Sequence, residues 1–161
     1  MAGFTKKDER FMRLAIKAAA DGVRRGQTPF GSCIVKDGKV VACAHNVVWS
    51  AEDITAHAEV TAIRRACRKL DTVDLSGCTV YSTTEPCPMC FSACHWARID
   101  KIIYGTSIKD AKKAGFHELP ISDHRMKREG KSKVKVFGGF MKGECAKLFT
   151  EWLERGDRKA Y

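Results

Sequence analysis

Three cysteines and a histidine fall within nine positions of the segment YSTTEPCPMCFSACHWARI, residues 81–99. Such side chains are soft donors that hold zinc, and a CxxC pair can also carry redox chemistry. Geometry limits how many of the four can act together. Two sulfurs on one tetrahedral zinc lie less than about 4 Å apart. Helical neighbours at i and i+3, or i and i+4, meet that limit. Cys87 with Cys90 meets it, and Cys90 with Cys94 would as well. Cys87 and Cys94 are separated by roughly 10 Å along a helix axis, so all three cannot bind one ion. Pro86 and Pro88 mark a helix start at Cys87 and Cys90, where unpaired N–H groups and the positive dipole end favour thiolates. That selects Cys87 and Cys90. Cys94, a turn deeper, is expected to be an ordinary buried thiol. His95, about 100° away around the axis, is expected not to bind.

Two thiolates need further donors. Of the five histidines, His57 stands in TAHAEV at the start of another expected helix. His57 and Glu59 are about 200° apart around a helix, so they share a site only at its N-terminal end. Two helix starts are therefore expected to face one spot that favours thiolates and a carboxylate. The rival reading is a thioredoxin-like redox CxxC. That motif needs no His-x-Glu and follows the first strand of its fold, whereas this cluster follows the third expected strand.

The elements that must position these residues follow from periodicity. Residues 5–25 carry Phe11, Leu14, Ala15, Ala18 and Ala19 at helical spacing, and the Gly22 to Gly26 region ends that helix. GSCIVKDGKVVACAH predicts a hairpin around Asp37-Gly38. HAEVTAIRRACRKL predicts a second helix, CTVYST a strand, the cysteine cluster a helix, and DKIIYGT another strand. A loop then leads to a short strand in KVKVFGG. CAKLFTEWLERGDRKAY begins as a helix with Leu148, Phe149, Trp152 and Leu153 as its apolar stripe. A hairpin followed by βαβ crossovers implies an α/β fold, a three-layer α/β/α sandwich on a mixed sheet. No repeat, linker or low-complexity tract divides residues 1–161, so one domain is expected.

Composition narrows the function classes. The chain has 161 residues, 44% of them hydrophobic, with no apolar window long enough to span a bilayer. The segment MAGFTKKDER has no apolar core of a signal peptide. A soluble, cytoplasmic protein is expected. Eight cysteines would suggest a disulfide framework in a secreted chain, but Cys33, Cys43 and Cys67 sit in apolar runs where a reduced thiol packs as a small hydrophobe. The net charge of +10 is concentrated in KKAGFHELPISDHRMKREGKSKVKV. It reads first as a solvated face, because it lacks interleaved aromatics for base stacking, and second as a nucleic-acid surface.

HAE at 57–59 and PCPMC at 86–90 reproduce the H-x-E…P-C-x-x-C signature of zinc nucleobase deaminases. On these motifs the chain resembles the cytidine deaminase-like superfamily, and within it the bacterial guanine deaminases. TPFG at 28–31, IVKDG at 34–38, HN at 45–46, TAHAEVTAIRRAC at 55–67, EPCPMC at 85–90, WAR at 96–98, AGF at 114–116 and Tyr161 carry the likeness. The resemblance implies a mixed five-stranded sheet. It implies one zinc per chain on His57, Cys87 and Cys90, with the fourth position open to a water whose pKa falls to about 7. Glu59 would then be the general acid and base rather than a ligand. Asn46 would hydrogen-bond the base, Phe30 and Trp96 would wall the pocket, and Glu118 would hold the substrate's polar edge and help move protons. It further implies a homodimer that exchanges a C-terminal segment of about 142–161, so that Tyr161 closes the partner's site.

The implied reaction is hydrolysis of guanine to xanthine and ammonia at C2, by zinc-bound hydroxide with Glu59 as the proton shuttle. Guanosine, another aminopurine or an amino-triazine would present the same kind of ring amine. Other readings stay open. Read alone, Glu59 is a carboxylate that complements a helix dipole, Phe30 and Trp96 are core residues, and Glu118 is an exposed loop carboxylate. A tRNA adenosine deaminase of the same superfamily would use the basic last third for phosphate contacts. A non-catalytic zinc module would need a fourth protein ligand, and only three have sensible spacing.

Overall fold

The computed structural model describes residues 3–161. Along the chain run α1 (Lys6–Arg24), β1 (Gly31–Lys36), β2 (Lys39–His45), α2 (Val48–Ala51), α3 (Ala58–Leu70), β3 (Cys78–Thr84), α4 (Pro88–Trp96), β4 (Lys101–Thr106), α5 (Ile108–Lys113), α6 (Asp123–Glu129), β5 (Lys135–Phe137) and α7 (Lys142–Leu153). Every expected helix and strand is present. Three short helices were not expected: α5 and α6 lie in the stretch read as loop, and α2 lies between the hairpin and the second expected helix. Each has seven residues or fewer, too few turns for a periodic apolar face to stand out.

Local chemistry sets the boundaries. Thr5 and Asp8 form a reciprocal capping box at the start of α1. Asp37 and Gly38 both take positive φ, 50° and 71°, the primed turn that matches the twist of a two-residue hairpin. The five strands form one mixed sheet in the order β2-β1-β3-β4-β5. β1 is antiparallel to both neighbours, and β3, β4 and β5 are parallel.

Strand register sorts the core into two layers. Ile34, Val80, Ile102 and Val136 are paired across four strands and share one face. Ala62 and Ala66 of α3 and Phe91 and Cys94 of α4 cover them. Cys33, Tyr81, Ile103 and Phe137 occupy the next row and the other face. Phe11, Met12 and Ala15 of α1 and Cys145 of α7 cover that face. Each fully buried large side chain here is worth about 1.5–3 kcal/mol. At Gly31 a Cβ would collide with the Ala15 carbonyl and Ala19 of α1, so this glycine lets α1 lie against the strand. The three-layer α/β/α sandwich on a five-stranded sheet is thus the observed fold. Among the described residues, no helix is long and apolar enough to cross a membrane.

Candidate functional site

The two expected helix starts meet. Cys87 is the N-cap of α4, with Pro88 as the first helical residue, and His57 is the N-cap of α3. Both caps have extended backbone and neither side chain caps its own helix, so both side chains are free to face each other. His57 Nδ1 lies 3.6 Å from Cys87 Sγ and 3.5 Å from Cys90 Sγ. The three donor atoms all fall within 4.8 Å of one another, and they are the one such metal-holding group among the described residues. Tetrahedral zinc with sulfur at about 2.3 Å and nitrogen at about 2.1 Å needs S···N separations of roughly 3.6 Å. The donor set and its spacing therefore fit zinc, with one position left for a non-protein ligand.

Electrostatics agree with that use. The Cys90 thiol and the His57 ring both stabilise a Cys87 thiolate, and despite burial its pKa is held at about 4. Burial alone would lower the pKa of His57, but the hydrogen bond and charge of Cys87 raise it. Glu59 sits in the first turn of α3 and is almost fully buried. One carboxylate oxygen accepts from Ser82 Oγ at 2.9 Å, and the other accepts from the Cys90 thiol at 3.4 Å. Burial, then the nearby Cys87 thiolate, raises its pKa. A buried carboxylate with a raised pKa, beside the His57, Cys87 and Cys90 donors, is of the kind that does general acid–base work.

Cys94 and His95 behave as expected. Cys94 is fully buried in the core, and its pKa is pushed well up by burial. His95 turns away and its Nδ1 pairs with Ser132 Oγ at 2.9 Å.

The remaining candidates divide. Phe30 and Glu118 line the cleft together with His57, Glu59, Cys87 and Tyr161. Burial, and then the Cys87 charge, pushes the Glu118 carboxyl up to about 7. Asn46 is fully buried; its Oδ1 accepts from the Val48 N–H at 3.0 Å, and its Nδ2 donates to the Tyr161 hydroxyl at 2.6 Å. The Tyr161 ring lies 5.3 Å from the His57 ring and 5.6 Å from Phe116. Tyr161 is therefore in the site of its own chain, held by His117 N–H donating to its backbone oxygen at 3.0 Å and by Trp49 Nε1 donating to Lys159 O at 3.0 Å.

Trp96 is a correction. It is 83% exposed at the last turn of α4 and lines a surface pocket with Phe91, His95 and Met126. It stands nine residues beyond Cys87, about 13 Å down the helix, so it cannot reach the cleft of its own chain.

One positioning residue was missed by reading the motifs. Glu85 is buried, and its carboxylate accepts from the Ile108 N–H at 3.1 Å and the Asp123 N–H at 3.0 Å. It ties down the starts of α5 and α6, and the loop between those helices carries Phe116 and Glu118. The adjacency of Glu85 to PCPMC was visible, but its two partners, 23 and 38 residues away, were not.

The model of the cytidine and deoxycytidylate deaminase zinc-binding region matches residues 5–106. The guanine deaminase of Bacillus subtilis (strain 168) is 46% identical over 154 residues, covering 95% of this chain and 98% of that one. The X-ray structure of the Bacillus subtilis guanine deaminase superposes with a TM-score of 0.66 at 46% identity, over 68% of this chain and 71% of that one. A tRNA-specific adenosine deaminase of Aquifex aeolicus (strain VF5) is 42% identical over 127 residues, 75% of this chain and 83% of that one. A structure from work on A-to-I editing by tRNA:A34 deaminases superposes at TM-score 0.77 and 32% identity, over 87% of this chain and 99% of that one. With this match, and with a donor triad and buried carboxylate of the matching kind, the chain belongs to the cytidine and deoxycytidylate deaminase family and is a zinc-dependent deaminase.

Proposed function

We propose that this deaminase acts on a free purine base, converting guanine to xanthine and ammonia. One observation carries the reading: the Tyr161 tail roofs the cleft, with its hydroxyl on Asn46 and its ring near His57. A nucleotide within a strand needs an open groove for its flanking residues. A free base does not.

His57, Cys87 and Cys90 would hold the zinc. When bound, zinc supplies an acidified water near neutral pH. Glu59 would take up a proton from the attacking water and pass it to the ring nitrogen beside C2. It then carries the second proton to the amine, which leaves as ammonia. Asn46 aligns the base through its side-chain amide, and Phe30 packs against the ring. Glu118 accepts from the N–H edge of the base. The companion reading, deamination of adenosine in tRNA, draws on the Aquifex relative and on the net charge of +10. Ammonia release from free guanine and from a tRNA anticodon stem distinguishes the two. Turnover of guanine is the expected result; turnover of the RNA with none of guanine overturns the proposal.

The enzyme is further proposed to act as a homodimer in which residues 142–161 are exchanged. The buried contacts of Cys145, Leu148, Phe149 and Trp152 would then be made in trans with the same chemistry. In that dimer, Tyr161 roofs the partner's cleft.

A further inference from the structure

A second cysteine pair lies away from the zinc corner. Cys33 on β1 and Cys43 on β2 are direct register partners. Asn46 N–H donates to the Phe30 carbonyl at 3.0 Å, which makes Gly31 and His45 a non-hydrogen-bonded pair. Alternation along the ladder makes Cys33 and Cys43 another. Such pairs bring the Cα atoms to about 4.5 Å, within the roughly 4.4–6.8 Å that a disulfide spans. The register shift in this hairpin falls beyond them, between Ile34 and Val35. Both side chains are on the α1 face of the sheet, and both are free thiols.

The two thiols differ in access. Cys33 is fully buried, while Cys43 is partly exposed in a surface cleft between α1 and the edge strand. Lys17, Arg25 and Arg65 line that cleft with Asp21. A hydrogen bond from the Cys33 thiol, opposed by burial and aided by Arg65 and Lys69, leaves the Cys43 pKa below that of an ordinary thiol. An accessible, activated sulfur beside a buried one is the arrangement of an attacking and a resolving cysteine.

We infer that Cys33 and Cys43 form a reversible dithiol–disulfide site that closes when the protein meets a small-molecule disulfide. The Cys43 thiolate attacks one sulfur of the oxidant RSSR, forming a mixed disulfide and releasing RS⁻. The Cys33 sulfur then attacks Cys43, expels the second RS⁻ and gives up its proton to a leaving thiolate. Two protein thiols lose two electrons and two protons, and one RSSR becomes two RSH. The Cβ atoms of such a pair must close by up to about 1 Å, which makes the bond readily reducible.

The test is thiol counting and non-reducing peptide mapping of the zinc-loaded protein after treatment with oxidised glutathione. Zinc content followed in parallel separates this chemistry from oxidation of Cys87 and Cys90. The expected result is loss of two thiols per chain, a cross-linked peptide joining Cys33 to Cys43, full zinc retention and reversal by dithiothreitol. Cys43→Ser removes the cross-link, with Cys43→Ala as the alternative if serine disturbs the edge strand, and Cys67→Ser leaves it unchanged. No thiol loss, a stable glutathione adduct on Cys43 with Cys33 still free, or a cross-link mapping elsewhere overturns the inference.

Discussion

His57, Cys87, Cys90 and Glu59 are held by the starts of two helices, whereas Phe116, Glu118 and Tyr161 hang from a loop and from the tail beyond α7. The first group sits on regular backbone packed against the sheet, and its donor atoms already have zinc-like spacing. The second depends on long-range ties: the Glu85 carboxylate, the Trp49 indole and the Asn46 amide. Chemistry that tolerates little positional error is best built on rigid elements, and the surface proposed above to hold the substrate hangs from a loop and a tail.

That contrast predicts unequal losses on the two sides of the cleft. Glu59→Ala should keep its zinc and its melting temperature while kcat falls by about 10²–10⁴-fold, the range for a lost general acid–base. Full activity in that variant would remove Glu59 from the mechanism. Glu118→Gln should act mainly on KM, raising it by about 10-fold for one lost charge-assisted hydrogen bond. An equal fall in kcat for both variants would erase the distinction between the two sides.

The tail offers a sharper break. Glu59→Ala protein mixed with a chain lacking residues 142–161 should regain activity if segments are exchanged, because an intact corner then receives a roof in trans. Recovery would be at most about half per mixed dimer, since one of its two sites is complete. Sedimentation as a monomer, with no recovery on mixing, would leave Tyr161 acting in its own chain.

The smallest effect on turnover is expected at Asp123, behind the cleft. Its carboxyl is fully buried with no hydrogen-bond partner among the described residues, and burial followed by the Glu85 charge pushes its pKa up to about 9. Because the folded state keeps a proton that the unfolded chain releases near pH 4, this stability is present below that pH. It is lost as pH rises towards 9, at up to about 1.4 kcal/mol per pH unit. Asp123→Asn mimics the protonated acid and cannot titrate. Its urea midpoint should fall less between pH 6 and 9 than that of the parent. Parallel curves would place the alkaline sensitivity in another group.

Local signals account for what was readable in advance. Asp37-Gly38, the Gly22 to Gly26 break, and Pro86 and Pro88 mark positions where backbone chemistry leaves few alternatives, and the structure has a turn, a helix end and a helix start there. Reach along a helix separated Cys87 and Cys90 from Cys94 and His95. The same reach also bears on Trp96, which stands at the far end of α4 and faces solvent. The short helices α5 and α6 have too few turns to show a periodic apolar face, and their tie to the Glu85 carboxylate is not visible in the residue order.

The residue order alone determined the donor types, their helix-start context and the alternation that builds a two-faced sheet, because these depend on backbone preferences over a few residues. Only the tertiary structure decided that His57 meets Cys87 across 30 residues, that Glu85 anchors the loop bearing Glu118, and that Cys33 faces Cys43. Those juxtapositions depend on strand order and register, which are set by the packing of the whole core rather than by any local run of sequence.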